Sequence, residues 1–181
     1  NRWHPAKGYQ VAIELAKKMP DVQFVMAGLH PNSTWSADHT ASARDAVERA
    51  KGVENMTFSY LPKLPPEKHH EMKRSLYRRA KALLYPVQFQ EPFGLAQIEA
   101  LACGTPEIGL RFGSVPEIVQ HGKTGFVCDT IEDLEKAVRG IEGIKSEDCR
   151  ADAVARFDRR VMGRAYLREY KAVMDGETWG L

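Results

Sequence analysis

Between Lys81 and Leu110 the chain reads KALLYPVQFQEPFGLAQIEALACGTPEIGL. Lys81–Val87 is apolar after its first residue (Ala82-Leu83-Leu84-Tyr85) and predicts a buried strand. Gln88–Phe93 carries polar residues and Pro92 and predicts a loop. Gly94–Cys103 predicts a helix closed by Gly104. Pro106–Leu110 predicts the next strand. A strand, a helix and a second strand in this order read as one unit of a parallel sheet.

The same alternation extends in both directions. Upstream, Lys7–Met19 places Val11, Ile13, Leu15, Ala16 and Met19 at roughly helical spacing, and Pro20-Asp21 stops it. Val22–Ala27 predicts a strand ending at Gly28, followed by a loop over Leu29–Ser36. Ala37–Lys51 predicts a helix closed by Gly52, and Met56–Tyr60 a short strand. Pro65-Pro66 opens a helix to about Ala80, as proline fits a first helical turn. Downstream, a short helix over Ser114–His121, a strand over Gly125–Cys128 and helices over Ile131–Gly140, Lys145–Phe157 and Arg159–Met174 complete the chain. The expected fold is α/β, a Rossmann-like doubly wound parallel sheet with helices on both faces. Residues 1–155 are expected to form this sheet domain, with its first strand truncated, and 156–181 a C-terminal helix.

Composition narrows the function classes. With 43% hydrophobic and 28% charged residues, the 181-residue chain can bury one core and remain hydrated outside. A formal charge of +2 lacks the clustered excess that a nucleic-acid binder carries. No apolar run is long enough to span a bilayer. Asn1-Arg2-Trp3-His4-Pro5 does not resemble a signal peptide and reads as loop residues of a chain already under way. Cys103, Cys128 and Cys149 are widely spaced and odd in number, which fits free thiols in a reducing cytoplasm.

In doubly wound sheets ligands sit at the carboxyl ends of the strands, so the loops that follow them are where a site is expected. The loop Gln88-Phe89-Gln90-Glu91-Pro92-Phe93-Gly94-Leu95 leads directly into the helix that contains Glu99. Gly94 lets the backbone approach a ligand. Free amides at the helix start make a partly positive site that suits a diphosphate. Glu99 follows Gly94 by five residues, ~7–8 Å along the helix at 1.5 Å per residue. That is about the reach from a phosphate to the ribose of the same nucleotide, whose two hydroxyls a carboxylate can accept. Glu91 lies on the other side, where a sugar's hydroxyls could meet it. From spacing alone, Glu91 could equally just favour the helix dipole and Glu99 could be solvated.

The run Glu91 to Pro106 resembles the donor-site signature of family 4 (group 1) retaining glycosyltransferases of the GT-B fold. That signature has two glutamates separated by seven residues, Phe-Gly-Leu between them, and a Cys-Gly-Thr-Pro turn behind. Gly113-Ser114-Val115-Pro116-Glu117-Ile118-Val119 and Gly122-Lys123-Thr124-Gly125-Phe126 resemble the next two segments of the same half. Arg2 with Lys7-Gly8 resembles the family's Gly-Arg-x4-Lys-Gly stretch. The likeness runs over roughly residues 2–174 and implies the C-terminal, donor-binding half of a two-domain enzyme. A sugar would pass from a nucleotide-diphosphate sugar to an unknown acceptor with its anomeric configuration kept.

The resemblance also implies roles for residues. Arg2, Lys7 and Glu91 would be the catalytic set, the two cations on the diphosphate and Glu91 on the sugar. Amides near Phe93, Gly94 and Leu95 would hold phosphate and sugar hydroxyls, and Glu99 the ribose. Tyr60 and Leu61 would lie near the base. The departing diphosphate gains negative charge, which fixed cations and helix-end amides can stabilise without a metal. No Asp-x-Asp pair is present, so no metal or other cofactor is expected. The acceptor would bind an N-terminal Rossmann domain of the same enzyme, against which 156–181 would pack. Any membrane contact would come through the full-length protein, and this half alone is expected to transfer no sugar. Alternatives are a phosphorylase or epimerase of the same fold, or a non-catalytic nucleotide-sugar-binding module. A phosphorylase would need a lysine carrying pyridoxal phosphate, for which no motif is found.

Two positions depart from the family pattern. Glu107 stands where Val is usual, inside a predicted strand, so it must find a partner or sit at an exposed strand end. Phe58-Ser59-Tyr60-Leu61 replaces a loop that often carries Gly. His69-His70-Glu71 reads as a solvated helix face, and the apolar positions of Arg159–Met174 as helix packing.

Overall fold

A computed structural model describes residues 3–32, 37–60 and 65–177. Strands β1 (Phe24–Gly28) and β2 (Met56–Tyr60) pair in parallel, Phe24 opposite Met56 and Gly28 opposite Tyr60. Strands β3 (Leu83–Tyr85), β4 (Glu107–Leu110) and β5 (Gly125–Cys128) form a second parallel block in that order. Glu107 stands opposite Leu83 on one side and Gly125 on the other. Helices α1 (Tyr9–Lys18), α2 (Ala37–Arg49), α3 (Pro66–Arg79), α4 (Leu95–Ala102) and α5 (Val115–Ile118) precede the successive strands, and α6 (Ile131–Gly140), α7 (Ser146–Phe157) and α8 (Arg159–Met174) follow β5.

The α/β class and the parallel strands are as expected. The hydrogen-bonded ladder, however, is divided into two blocks, β1–β2 and β3–β4–β5. A common core still joins the two blocks. Val11 and Leu15 of α1 and Met19 just after it pack with Phe24 of β1 and with Ile108, Leu110 and Cys128 of the second block, closed by Leu134 and Ala137 of α6. Leu101 of α4, Ile118 of α5 and Cys149 and Ala153 of α7 form another layer.

Local chemistry moves several boundaries. Strand β3 is shorter than Lys81–Val87 because Pro86 has no N–H to continue the ladder. The expected helix from Lys7 starts only at Tyr9. Pro5–Lys7 forms a 3-10 turn, and Gly8 breaks it with φ of 78°. At the other end of α1, Asn55 donates to the carbonyls of Ala16, Met19 and Val22 and ties the helix exit to the start of β2.

Helix α8 is unlike the rest. None of its residues is buried, and Met162, Tyr166, Leu167, Tyr170, Val173 and Met174 are exposed. The helix packing expected of these positions is therefore not found within the described residues. Among those residues no helix is long and apolar enough to cross a membrane. All three cysteines are free thiols, and burial pushes Cys128 and Cys149 up to about 11.

Candidate functional site

The left-handed Gly8 delivers Lys7 to the loop after β3. A Cβ at Gly8 would fall 1.9 Å from the Pro86 carbonyl oxygen, so only glycine permits this approach. The Gln88 amide donates to the Ala6 carbonyl at 2.8 Å, which fixes the turn against the loop. Lys7 thereby lies over the Phe89 ring, 4.6 Å from its centroid, and pairs with Glu91 Oε2. The Tyr85 hydroxyl donates to the same oxygen at 3.3 Å. Burial, together with the neighbouring charge of Glu91, raises the Tyr85 pKa, so the phenol stays protonated and able to donate.

The loop after β4 supports Glu91 from behind. The Ser114 amide donates to the Glu91 carbonyl at 3.0 Å, and the Gly113 amide to Gln90 Oε1 at 2.9 Å. A Cβ at Gly113 would meet the Glu91 backbone at 2.4 Å, in a residue with φ of 51°. The Gly-Ser pair thus acts as a platform for the Glu91 backbone.

Gly94 opens α4 with φ of 73° and no side chain capping the helix start. Beneath it, Gln97 donates to the Phe93 carbonyl (3.0 Å) and to Ser114 Oγ (2.8 Å), and Ser114 donates to the same carbonyl at 2.7 Å. This buried brace holds Phe93–Leu95 in place. Glu99, further along α4, accepts from Lys73 Nζ at 2.6 Å and from the Tyr77 hydroxyl at 3.3 Å. Lys7, Glu91, Phe93, Gly94, Leu95 and Glu99 are therefore gathered around the start of one helix, at the carboxyl end of β3.

Other expected residues fare differently. Tyr60 ends β2, stacked on Phe58 (6.1 Å between centroids) and edge-on to His30 (4.7 Å). Arg2 and Leu61 lie outside the described residues. Glu107 meets neither expectation held for it. It is wholly buried, and neither carboxylate oxygen has a hydrogen-bond partner. Burial raises its pKa well above the ordinary carboxyl value, so it is held as the neutral acid. The cause is its place in the centre of the β3–β4–β5 block, where all four residues of β4 are buried. Among the described residues no group of three or more His, Cys, Asp or Glu is arranged to hold a metal ion.

Sequence reasoning missed Tyr85, Lys73, Tyr77 and the role of Gly113. Each acts across elements, and the one available signal was the Gly113-Ser114 pair within a recognised segment.

A family model described as Glycosyl transferases group 1 matches residues 1–160. The chain belongs to this family. The group 1 chain is 34% identical over 130 residues to the D-inositol 3-phosphate glycosyltransferase of Mycobacterium sp. (strain KMS), covering 71% of this chain and 27% of that one. It superimposes on sucrose-phosphate synthase from Thermosynechococcus elongatus with a TM-score of 0.74 at 24% identity, over 95% of this chain and 44% of the other. Against Anabaena HepE in complex with UDP-glucose the TM-score is 0.73 at 19% identity, over 95% and 47% of the two chains. At those identities the structural likeness establishes the α/β fold. The group 1 chain spans less than half the length of each of these three proteins.

Proposed function

We propose that this chain is the donor-binding domain of a retaining, family 4 glycosyltransferase of the GT-B plan. Its site holds a nucleotide-diphosphate sugar, and the glycosyl group passes to an acceptor bound by an N-terminal Rossmann domain of the same enzyme. One observation carries the proposal: Glu91 and Glu99 flank the left-handed Gly94 at an uncapped helix start, and each is held by a lysine. The diphosphate docks on the α4 amides and on Lys7, with Arg2 as the second cation. An ammonium has three N–H donors, so Lys7 can keep Glu91 and still face a phosphate. Glu91 receives the sugar's hydroxyls, Glu99 the ribose, and Tyr60 and Leu61 border the base. As the bond to the leaving diphosphate breaks, the growing charge meets cations already in position. Binding needs no metal.

The HepE structure with UDP-glucose lends support to a nucleotide-sugar ligand. Residues 1–155 make the donor domain, and within 156–181 the exposed face of α8 packs on the rest of the enzyme. The protein works in the cytoplasm, where its thiols remain reduced, and the domain by itself transfers no sugar.

Calorimetry with UDP, ADP, GDP and pyrophosphate tests the site. Glu99→Ala is expected to weaken the preferred nucleoside diphosphate about 10- to 150-fold, the loss of hydrogen bonds to a charged group. Pyrophosphate has no ribose and should be nearly unaffected. Lys7→Ala should weaken both ligands, and EDTA should change neither. Equal losses for both ligands in the Glu99 variant would refute the ribose assignment. Binding that EDTA abolishes and Mn²⁺ restores would refute the metal-free site.

A further inference from the structure

The two site glutamates are held in the same manner, each by one lysine and one tyrosine. Lys7 and Tyr85 serve Glu91, and Lys73 and Tyr77 serve Glu99. The second set comes entirely from α3. Lys73 and Tyr77 stand four residues apart and so share one face of that helix. Lys73 takes Glu99 Oε1 and Tyr77 takes Oε2, so both oxygens are fixed by one rigid element. Helix α3 is itself anchored at this point: Thr105 Oγ1, in the turn after α4, donates to the Tyr77 carbonyl at 2.7 Å. Burial and the charge of Glu99 raise the Tyr77 pKa, so the phenol remains a donor.

The side chains of the Lys73–Glu99 pair are 23% and 34% exposed, so its charges are partly shielded from water. What such a pair fixes is direction. A helix glutamate has three rotatable bonds, and an unrestrained Glu99 would have to be ordered by its ligand. Two donors on α3 order it beforehand. Each carboxylate oxygen can accept two hydrogen bonds, so one acceptor position on each stays free.

We propose that Lys73 and Tyr77 are positioning residues, which hold the Glu99 carboxylate oriented so that it receives the two ribose hydroxyls of a nucleoside diphosphate. The inference rests on the ribose assignment of Glu99 made above and extends the donor site to a helix that the Glu91–Glu99 segment does not contain. The remaining geometry of α3 agrees. Its adjacent face, with Lys68, Met72, Ser75 and Leu76, lines a groove against Ser59 at the end of β2, next to Tyr60. The helix therefore lies between the end of β2 and Glu99, where the nucleoside would extend from the phosphate site.

The test is calorimetry on the 181-residue chain with UDP, ADP, GDP and pyrophosphate. It uses Lys73→Met, Lys73→Arg, Tyr77→Phe, Glu99→Ala and the Lys73→Met/Glu99→Ala double variant, with a thermal melt of each. Lys73→Met should weaken the preferred nucleoside diphosphate about tenfold and leave pyrophosphate within about twofold. Tyr77→Phe should do the same to a smaller degree. Lys73→Arg should recover most of the affinity, and Lys73→Met should cost nothing further once Glu99 is already alanine. A merely structural pair would lower the melting temperature and weaken both ligands alike. That result, or additive losses in the double variant, or an unchanged nucleoside diphosphate affinity in Lys73→Met, overturns the inference. If Glu99→Ala discriminates between the ligands and Lys73→Met does not, the positioning role alone falls. If no nucleoside diphosphate binds the parent chain, the ribose assignment falls and takes this inference with it.

Discussion

Glu107 has a thermodynamic signature of its own. Burial holds it protonated in the folded chain, whereas in the unfolded chain it ionises near its ordinary value. Between those two pKa values the unfolded state has released a proton that the folded state retains. The stability it contributes is therefore complete below the ordinary carboxyl range and is lost as pH rises toward the folded pKa, at about 1.4 kcal/mol per pH unit. Glu107→Gln has no proton to lose. It should be more stable than the parent at about pH 7, with the advantage shrinking steadily toward about pH 5. Urea unfolding across that interval measures the difference, and a constant difference would show that Glu107 is ionised or paired. The sequence identified Glu107 as anomalous but offered two outcomes, a partner or exposure, and neither occurs. Likewise it marked Lys7, Glu91, Gly94 and Glu99, which lie in recognisable local strings. It did not mark Lys73, Tyr77 or Tyr85, since their relation to the glutamates exists only after separate elements pack.

At the level of elements, β2, β5, α6 and α8 match the expected boundaries, because turn residues and caps enclose them. The Thr130–Asp133 capping box, for instance, starts α6 where its apolar period begins. Helix α5 ends at Ile118, short of the expected His121. The His121 ring instead accepts the Val127 amide at 3.1 Å and joins the approach to β5, a contact that no helical period announces. The start of α4 permits a controlled test. Gly94 and Gly122 both have positive φ, 73° and 78°, but only at Gly94 would a Cβ meet other atoms: Gln97 Nε2 at 2.4 Å and the Tyr85 hydroxyl at 2.8 Å. Gly122→Ala should cost about 1 kcal/mol of backbone strain and leave binding unchanged. Gly94→Ala should cost about 1–3 kcal/mol more and weaken both nucleoside diphosphate and pyrophosphate, as it displaces the brace under the helix start. Matched melts and calorimetry would expose an error if the two variants behaved alike.

On the scale of the whole molecule, α8 adds little to the core. With none of its residues buried, removing 159–181 should move the melting temperature of the remainder by less than about 3 °C. A larger drop would mean that α8 is integral to this domain. The paired lysines and glutamates carry a different consequence. Among the described residues Lys7 cancels Glu91 and Lys73 cancels Glu99, so these two carboxylates have their own counter-ions, on a chain whose formal charge is only +2. An anionic donor would then feel little pull from afar, and its capture rests on contacts made at short range. The association rate should accordingly vary only weakly with added salt, the reverse of a bare basic cleft, where long-range attraction speeds encounter and ionic strength abolishes the gain.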